Sequence, residues 1–298
     1  MPPVVEVTDL HKSYGDVHAV QGISFAVDPG ECVAVLGPNG AGKTTTIEVL
    51  EGFRAPDAGT VRVLGFEPAH AGSDYRSRIG VVLQECGIDR YLTVEEVLRM
   101  NASYYPRPRS VAETITMVGL DEKRTSRVKT LSGGQQRRLD VALGIIGDPD
   151  LLFLDEPTTG FDPSARRQAW ELVHTLRGLG KTVLLTTHYM DEAQSLADRV
   201  IVIAQGRIIA EGTPETIGGR AQAQTRVTFT WPPDRPLDGL PVPVTREGDT
   251  VVIATDTPTA ALRDLTAWAL GHGGELPGLS VTRPSLEDVY LDLIGERT

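Results

Sequence analysis

The run Gly37-Pro38-Asn39-Gly40-Ala41-Gly42-Lys43-Thr44-Thr45 sets three glycines, a lysine and adjacent hydroxyls in the spacing G-x-x-x-x-G-K-T. The glycines let the backbone curl tightly and turn several N–H groups inward. Those groups, with the start of a following helix, form a cradle for anionic phosphates. Lys43 adds a positive charge toward the terminal phosphates. The Thr44 hydroxyl can hold a Mg²⁺ that keeps several of its waters. The pattern points to nucleotide binding. The plainer alternative, a glycine-rich turn before a helix, is disfavoured by the apolar run Val33–Leu36 before it and the helical pattern Thr44–Leu50 after it.

Other residues could join this chemistry. Leu131-Ser132-Gly133-Gly134-Gln135 is a second glycine-bearing turn, and a helix pattern follows it. It is another ready anion site. The apolar run Leu151–Leu154 ends in Asp155-Glu156. Two carboxylates at a strand's C-terminal end sit where open α/β sheets place their chemistry. Lys181–Thr187 is a further buried-type run and ends at His188; Ile79–Leu83 ends at Gln84. Tyr14, between the first two strand-like segments, could stack on a nucleobase or simply occupy a hairpin corner.

The elements that must position these groups are readable in outline. Val4–Leu10, Ile23–Val27 and Thr60–Leu64 read as short strands of an antiparallel sheet beside the nucleotide core. The runs ending at Leu36, Leu83, Leu154, Thr187 and Ala204 alternate with helix patterns, which predicts a mostly parallel sheet. Residues 86–130 differ in character. Thr93-Val94-Glu95-Glu96 resembles a capped helix start, and Pro106 and Pro108 interrupt the stretch. A helical insertion is expected there, with Thr125–Thr130 as a polar linker. Beyond a Gly, Ala and Gln-rich linker, residues 225–298 predict a small α+β domain with Ser285 and Asp288 capping its last helix.

Composition excludes several classes. The chain has 298 residues, of which 23% are charged, and a net charge of −11. That acidity argues against a nucleic-acid-coating protein and against a broad electrostatic grip on anionic lipid. No run of eighteen apolar residues suits a membrane span. Membrane association is therefore expected only through a protein partner. Two cysteines, Cys32 and Cys86, are too few for a disulfide framework, and Cys32 reads as a small core hydrophobe. The N-terminus lacks the features of a signal peptide, so a reduced, cytosolic setting is expected.

GPNGAGKT at 37–44, Gln84, LSGGQ at 131–135, LLFLDE at 151–156 and His188 occur in the order found in ATP-binding cassette proteins. The chain resembles the nucleotide-binding subunit of an ABC transporter, and within that class the drug-resistance and antibiotic exporter ATPases. LSGGQ discriminates most, since most P-loop proteins lack it. The tail Pro284–Leu291 resembles the C-terminal motif of the same exporter group.

The resemblance implies an α/β fold with three parts: a P-loop core with antiparallel subdomain, a helical insertion, and a small C-terminal α+β domain. The cassette is expected over 4–218, its insertion over about 86–140, and the accessory domain over 225–298. ATP is expected along 37–45, its base against Tyr14. Mg²⁺ is expected at Thr44, Gln84 and Asp155. Lys43, Glu156 and His188 are the expected catalytic residues: Glu156 as base, His188 at the γ-phosphate. Ser132, Gly133, Gly134 and Gln135 are expected to cover ATP held by a second copy, in a head-to-tail homodimer. The implied partner is an integral membrane permease, which would hold the chain peripherally on the cytoplasmic face of the membrane. No nucleic acid and no direct lipid insertion are expected. A soluble ABC ATPase of DNA repair or translation would want tandem cassettes, a coiled-coil insertion or a basic surface. An importer ATPase is disfavoured by the tail motif alone, and a non-catalytic cassette by the intact motifs.

Overall fold

The computed structural model describes residues 2–82, 87–232, 237, 239–271 and 274–295. Gln84 and Cys86 lie outside the described residues. The chain divides into two compact units, Met1–Pro214 and Glu215–Thr298.

In the first unit, β1 (Val5–Tyr14) and β2 (Val17–Val27) form a hairpin. β3 (Cys32–Leu36) runs through the glycine loop into α1 (Lys43–Leu50); β4 (Ala58–Val63), the short α2 (Ser73–Arg76) and β5 (Ile79–Val82) follow. Next come α3 (Val94–Ala102), α4 (Val111–Met117) and α5 (Gly133–Ile145). The unit closes with β6 (Leu151–Asp155), α6 (Pro163–Gly178), β7 (Thr182–Thr187), α7 (Met190–Leu196), β8 (Arg199–Ala204) and β9 (Arg207–Gly212).

Two sheets result. One is antiparallel, in the order β2-β1-β4; the other runs β5-β6-β7-β3-β8-β9. In the second sheet β5 to β8 are parallel and β9 pairs antiparallel with β8 at the edge. β3 and β7 are buried along their whole length, as strands covered on both faces must be. One apolar core joins the two sheets: Val5, Val7 and Val27 pack with Val33, Val35 and Phe153, and with Ile47 and Leu50 of α1. The nucleotide-loop helix is therefore anchored on its inner face while its N-terminus stays at the sheet's C-terminal edge.

α3 begins with a reciprocal cap: the Glu96 N–H donates to Thr93 Oγ1 at 3.2 Å, and the Thr93 N–H donates to Glu96 Oε2 at 2.8 Å. The expected linker 125–130 is not a free tether. Val128 is buried, and backbone bonds from Val94 to Ser126 (3.1 Å) and from Val128 to Leu92 (2.9 Å) lace it to the entrance of α3. A polar sequence concealed this because the backbone, not the side chains, makes the ties.

Among the described residues the second unit is a four-stranded antiparallel sheet, β11-β12-β10-β13, with two α-helices. In chain order these are β10 (Thr225–Thr230), β11 (Thr245–Glu247), β12 (Thr250–Thr255), α8 (Pro258–Gly271), β13 (Ser280–Thr282) and α9 (Leu286–Ile294). Val227, Phe229, Trp231, Val251 and Ile253 form its core with Leu265 and Ala269 of α8. Asp288 and Ser285 exchange cap hydrogen bonds at 2.8 and 3.0 Å ahead of α9. No helix among the described residues is long and apolar enough to cross a membrane.

Candidate functional site

The glycine loop is braced by its neighbours. Gly42 is the N-cap of α1, in a left-handed conformation with φ 103°. A β-carbon there would come within 2.2 Å of the Ala19 carbonyl of β2, so glycine is required twice over. The Gly206 N–H, in the β8–β9 turn, donates to Ala41 O at 3.0 Å. Among the described residues no side chain caps α1, and no acidic residue stands in its first turn. Its N-terminal N–H groups and positive dipole end are thus left for an outside anion.

Lys43 is 6% exposed and folds back over the loop, donating to Gly37 O at 2.7 Å and Pro38 O at 3.2 Å. Burial holds its ammonium below the ordinary lysine range, and the carboxylates of Glu156 and Asp155 offset part of that. Thr44 is exposed, while Thr46 turns inward and bonds Gly42 O at 2.8 Å. Tyr14 stands 40% exposed at the β1–β2 corner, with the Lys12 ammonium 5.8 Å and the Arg54 guanidinium 5.7 Å from its ring. The structure therefore places Tyr14 at the hairpin corner, partly exposed.

At the end of β6 the two carboxylates are held differently. Asp155 Oδ1 accepts from Thr186 Oγ1 of β7 at 2.6 Å. Glu156 has φ 45°, an uncommon conformation for a residue with a side chain. Its N–H donates to the oxygens of Thr186 at 3.1 and 3.2 Å. Its Oε2 accepts from Thr159 at 3.0 Å, and its Oε1 lies 3.3 Å from His188 Nδ1. His188, just past β7, stacks near Tyr189 with ring centroids 4.1 Å apart. The turn after Glu156 is fixed from below by Glu192 of α7. That fully buried carboxylate accepts from Thr158 at 2.8 Å and Trp170 at 3.3 Å, and burial raises its pKa. Asp162 caps α6 through Ser164 and Ala165 at 2.8 and 2.9 Å, a structural duty.

The second glycine turn opens α5 with a reciprocal cap. The Gln135 N–H donates to Ser132 Oγ at 3.3 Å, and the Ser132 N–H donates to Gln135 Oε1 at 3.0 Å. Ser132, Gly133 and Gly134 line an open cleft of about 1140 Å³ together with Glu156, Phe161 and Asp162. Lys43 and Thr44 are not among the described residues lining that cleft. The structure thus brings Asp155, Glu156 and His188 together at adjoining strand ends, next to Lys43, and sets the α5 turn on a cleft that it shares with Glu156. Sequence reasoning missed Thr186, which holds both carboxylate residues, and Glu192 and Arg137, which hold the turn that follows. Only the threonine just before the end of β7 was visible as a hydroxyl in an apolar run; the other two act across long sequence distances.

The sequence profile described as ABC transporter matches residues 20–159, and one for the C-terminal domain of ABC transporter domain-containing proteins matches 225–285. The chain is 40% identical to Nod factor export ATP-binding protein I of Ralstonia nicotianae, over 98% of this chain and 94% of that protein. The chain belongs to the ATP-binding cassette transporter family. It is equally 40% identical to the daunorubicin/doxorubicin resistance ATP-binding protein DrrA of Streptomyces peucetius, over 98% of this chain and 92% of DrrA. A solved ATP-binding subunit of an ABC transporter superposes with a TM-score of 0.65 at 29% identity, covering 71% of this chain and 90% of that one. This ABC chain is therefore an ATP-binding subunit, with ATP hydrolysis as its family's activity.

Proposed function

We propose that the chain powers export of a small molecule, in the manner of a drug or antibiotic exporter, through a separate membrane permease. The observation that carries this reading is whole-length similarity: the two named relatives are an export and a resistance ATP-binding protein, and each aligns over 98% of the chain. The C-terminal unit, where cassette similarity alone would end, is included. The chain would sit peripherally on the cytoplasmic face of the membrane, held by the permease.

The site residues take roles that their chemistry supports. The open N-terminus of α1 and the Gly37–Thr45 backbone would hold the ATP phosphates, Lys43 swinging from its carbonyls to the terminal phosphates. Tyr14 offers a face for the base. Thr44 and Asp155 are an exposed hydroxyl and a half-buried carboxylate near Lys43, a hard-oxygen set that fits Mg²⁺ arriving with its nucleotide; Gln84 would complete it. When bound, that ion supplies charge neutralisation at the phosphates. Glu156 accepts a proton from the attacking water as its oxygen bonds the γ-phosphorus and the bridging oxygen leaves with ADP. His188, now beside Glu156, would turn to the γ-phosphate. Such catalysis is mostly positioning and electrostatics.

Two features support a head-to-tail pair of copies. The α5 turn shares its cleft with Glu156, and Lys43 and Thr44 are not among the described residues that line it. At Gly133 a β-carbon would meet nothing within 4 Å among the described residues, so these give no packing reason for glycine there; an approaching phosphate does. Glu156→Gln is expected to lower turnover by about 10²–10⁴ while leaving ATP bound in a stable pair, measured by phosphate release and by size-exclusion chromatography with ATP. Turnover equal to that of the parent chain would sink the assignment.

A further inference from the structure

Arg137 lies one turn inside α5 and is 8% exposed. Its guanidinium reaches across to the backbone that follows β6. Nε donates to Pro157 O at 3.1 Å and Nη2 donates to Asp155 O at 3.3 Å. Nη1 stands 3.8 Å from Asp140 Oδ2, a turn further along the same helix. The two carbonyls bracket Glu156, the residue with φ 45°.

A left-handed backbone at a residue with a side chain is strained and persists where the surroundings over-determine it. Here the restraints come from two sides. Thr186 of β7 holds the Glu156 N–H. Arg137 holds the carbonyl before Glu156 and the carbonyl after it. A planar guanidinium can donate along two directions at once in a fixed fork, which an ammonium on a flexible stem does not reproduce. On α5 itself Arg137 is flanked by buried Leu139, Val141 and Ala142 and has the buried carboxylate of Asp140 at 3.8 Å, while its two hydrogen bonds to the chain after β6 leave the helix.

We propose that Arg137 is a positioning residue for hydrolysis: it clamps the backbone on both sides of Glu156 and so aims that carboxylate at the attacking water. The proposal rests on the reading of Glu156 as the base. It adds a route between the two ends of the chemistry. Arg137 stands five residues after Ser132 on the same helix. A movement of the α5 turn when it meets a phosphate is therefore passed to Glu156 through two hydrogen bonds.

The test uses the purified full chain and two variants. Arg137→Lys keeps the charge but loses the fork; Arg137→Met keeps the bulk and loses every hydrogen bond. Both are expected to lower kcat about tenfold or more, with KM for ATP and the affinity for a non-hydrolysable ATP analogue within about threefold of the parent. Rates are normalised to analogue-binding sites, so unfolded material does not count. Adding Arg137→Lys to Glu156→Gln is expected to cost nothing further, because both remove the same aimed carboxylate. A kcat for Arg137→Lys within about twofold of the parent would overturn the proposal, as would parallel losses in kcat and analogue affinity. Full turnover in Glu156→Gln alone would instead overturn the reading of the base. An inert Glu156→Gln beside a fully active Arg137→Lys would leave that reading standing and remove only the clamp.

Discussion

α1 and α5 both open at a glycine-rich turn, and neither carries an acidic residue in its first turn. Their N-terminal N–H groups are nevertheless treated in opposite ways. At α1 the cap is Gly42, which has no side chain, so the donors stay open. At α5 Ser132 and Gln135 satisfy each other's backbone in a capping box. The cap of α3, Thr93 with Glu96, is built the same way as that of α5 but adds two acids in the first turn, which complement the helix dipole internally. α5 therefore stands between the two: capped like an ordinary helix, yet without the acids that would repel an anion. On the proposed reading α1 is a standing phosphate site and α5 a narrower one, because its box ties up the Ser132 and Gln135 N–H groups and leaves only those of Gly133 and Gly134 for an anion.

Mutations at the two ends should separate these behaviours. Ser132→Arg is expected to cut hydrolysis about 10²–10³-fold, the loss typical of removing an aligned donor, while ATP binding to the single chain survives. Steady-state phosphate release and equilibrium binding of a fluorescent ATP analogue measure both quantities. Equal loss of binding would make α5 as strong a site as α1 and break the contrast. Lys43→Ala acts at the open end and should weaken binding roughly 10- to 100-fold, the worth of a hydrogen bond to a charged group; the same titration reads it.

α1 also has an unusual far end. Its C-cap, Glu51, is 7% exposed, and its Oε1 has no partner among the described residues. Burial pushes its carboxyl up to about 8 from an ordinary 4.5, with the charges of Asp155 and Glu48 adding to the rise. Below pH 4.5 the folded and unfolded chains both hold this proton, so its contribution is fully present. As pH climbs toward 8 the unfolded chain ionises and the folded one resists, so stability falls; beyond that the loss stops. Glu51→Gln should flatten that slope. Melting temperatures from pH 5 to pH 8, taken for parent and variant, are expected to diverge steadily as pH rises. Parallel curves would refute it.

The smallest effect is the sharpest discriminator. Gly133→Ala replaces a helical glycine with space around it, so thermal stability should rise by about 0.5–1 kcal/mol. If α5 closes on a phosphate, hydrolysis should fall in the same variant. A chain both more stable and fully active would show that the glycine serves neither fold nor site.

Much of this was legible in the sequence, for identifiable reasons. β3 and the first four residues of β6 are continuous apolar runs, and β7 carries Val183–Leu185 between buried threonines, because both faces are covered. The caps at Thr93–Glu96 and Ser285–Asp288 are local, three residues apart, and their side chains name them. The glycine-lysine-threonine loop is likewise local. What stayed hidden depends on contacts distant in sequence or on backbone alone. β13 is exposed along all three residues and has no hydrophobic signature. The 125–130 segment is tied by main-chain bonds. Thr186 reaches residues about thirty positions earlier, and Arg137 reaches forward to Pro157. The left-handed φ of Glu156 has no sequence mark, since the residue is chosen for its carboxylate and its conformation is imposed from outside.

The sheet order carries a consequence for how the chain comes into being. β3, which delivers the phosphate loop, is made early, yet its two neighbours in the sheet are β7 and β8. The loop's own brace, the Gly206 N–H on Ala41, arrives later still. A nascent chain emerging from the ribosome therefore exposes the nucleotide motif long before it can shape it. Competence for ATP should switch on in one step, when the β8–β9 hairpin clears the exit tunnel, and no amino-terminal fragment short of that hairpin should hold a nucleotide.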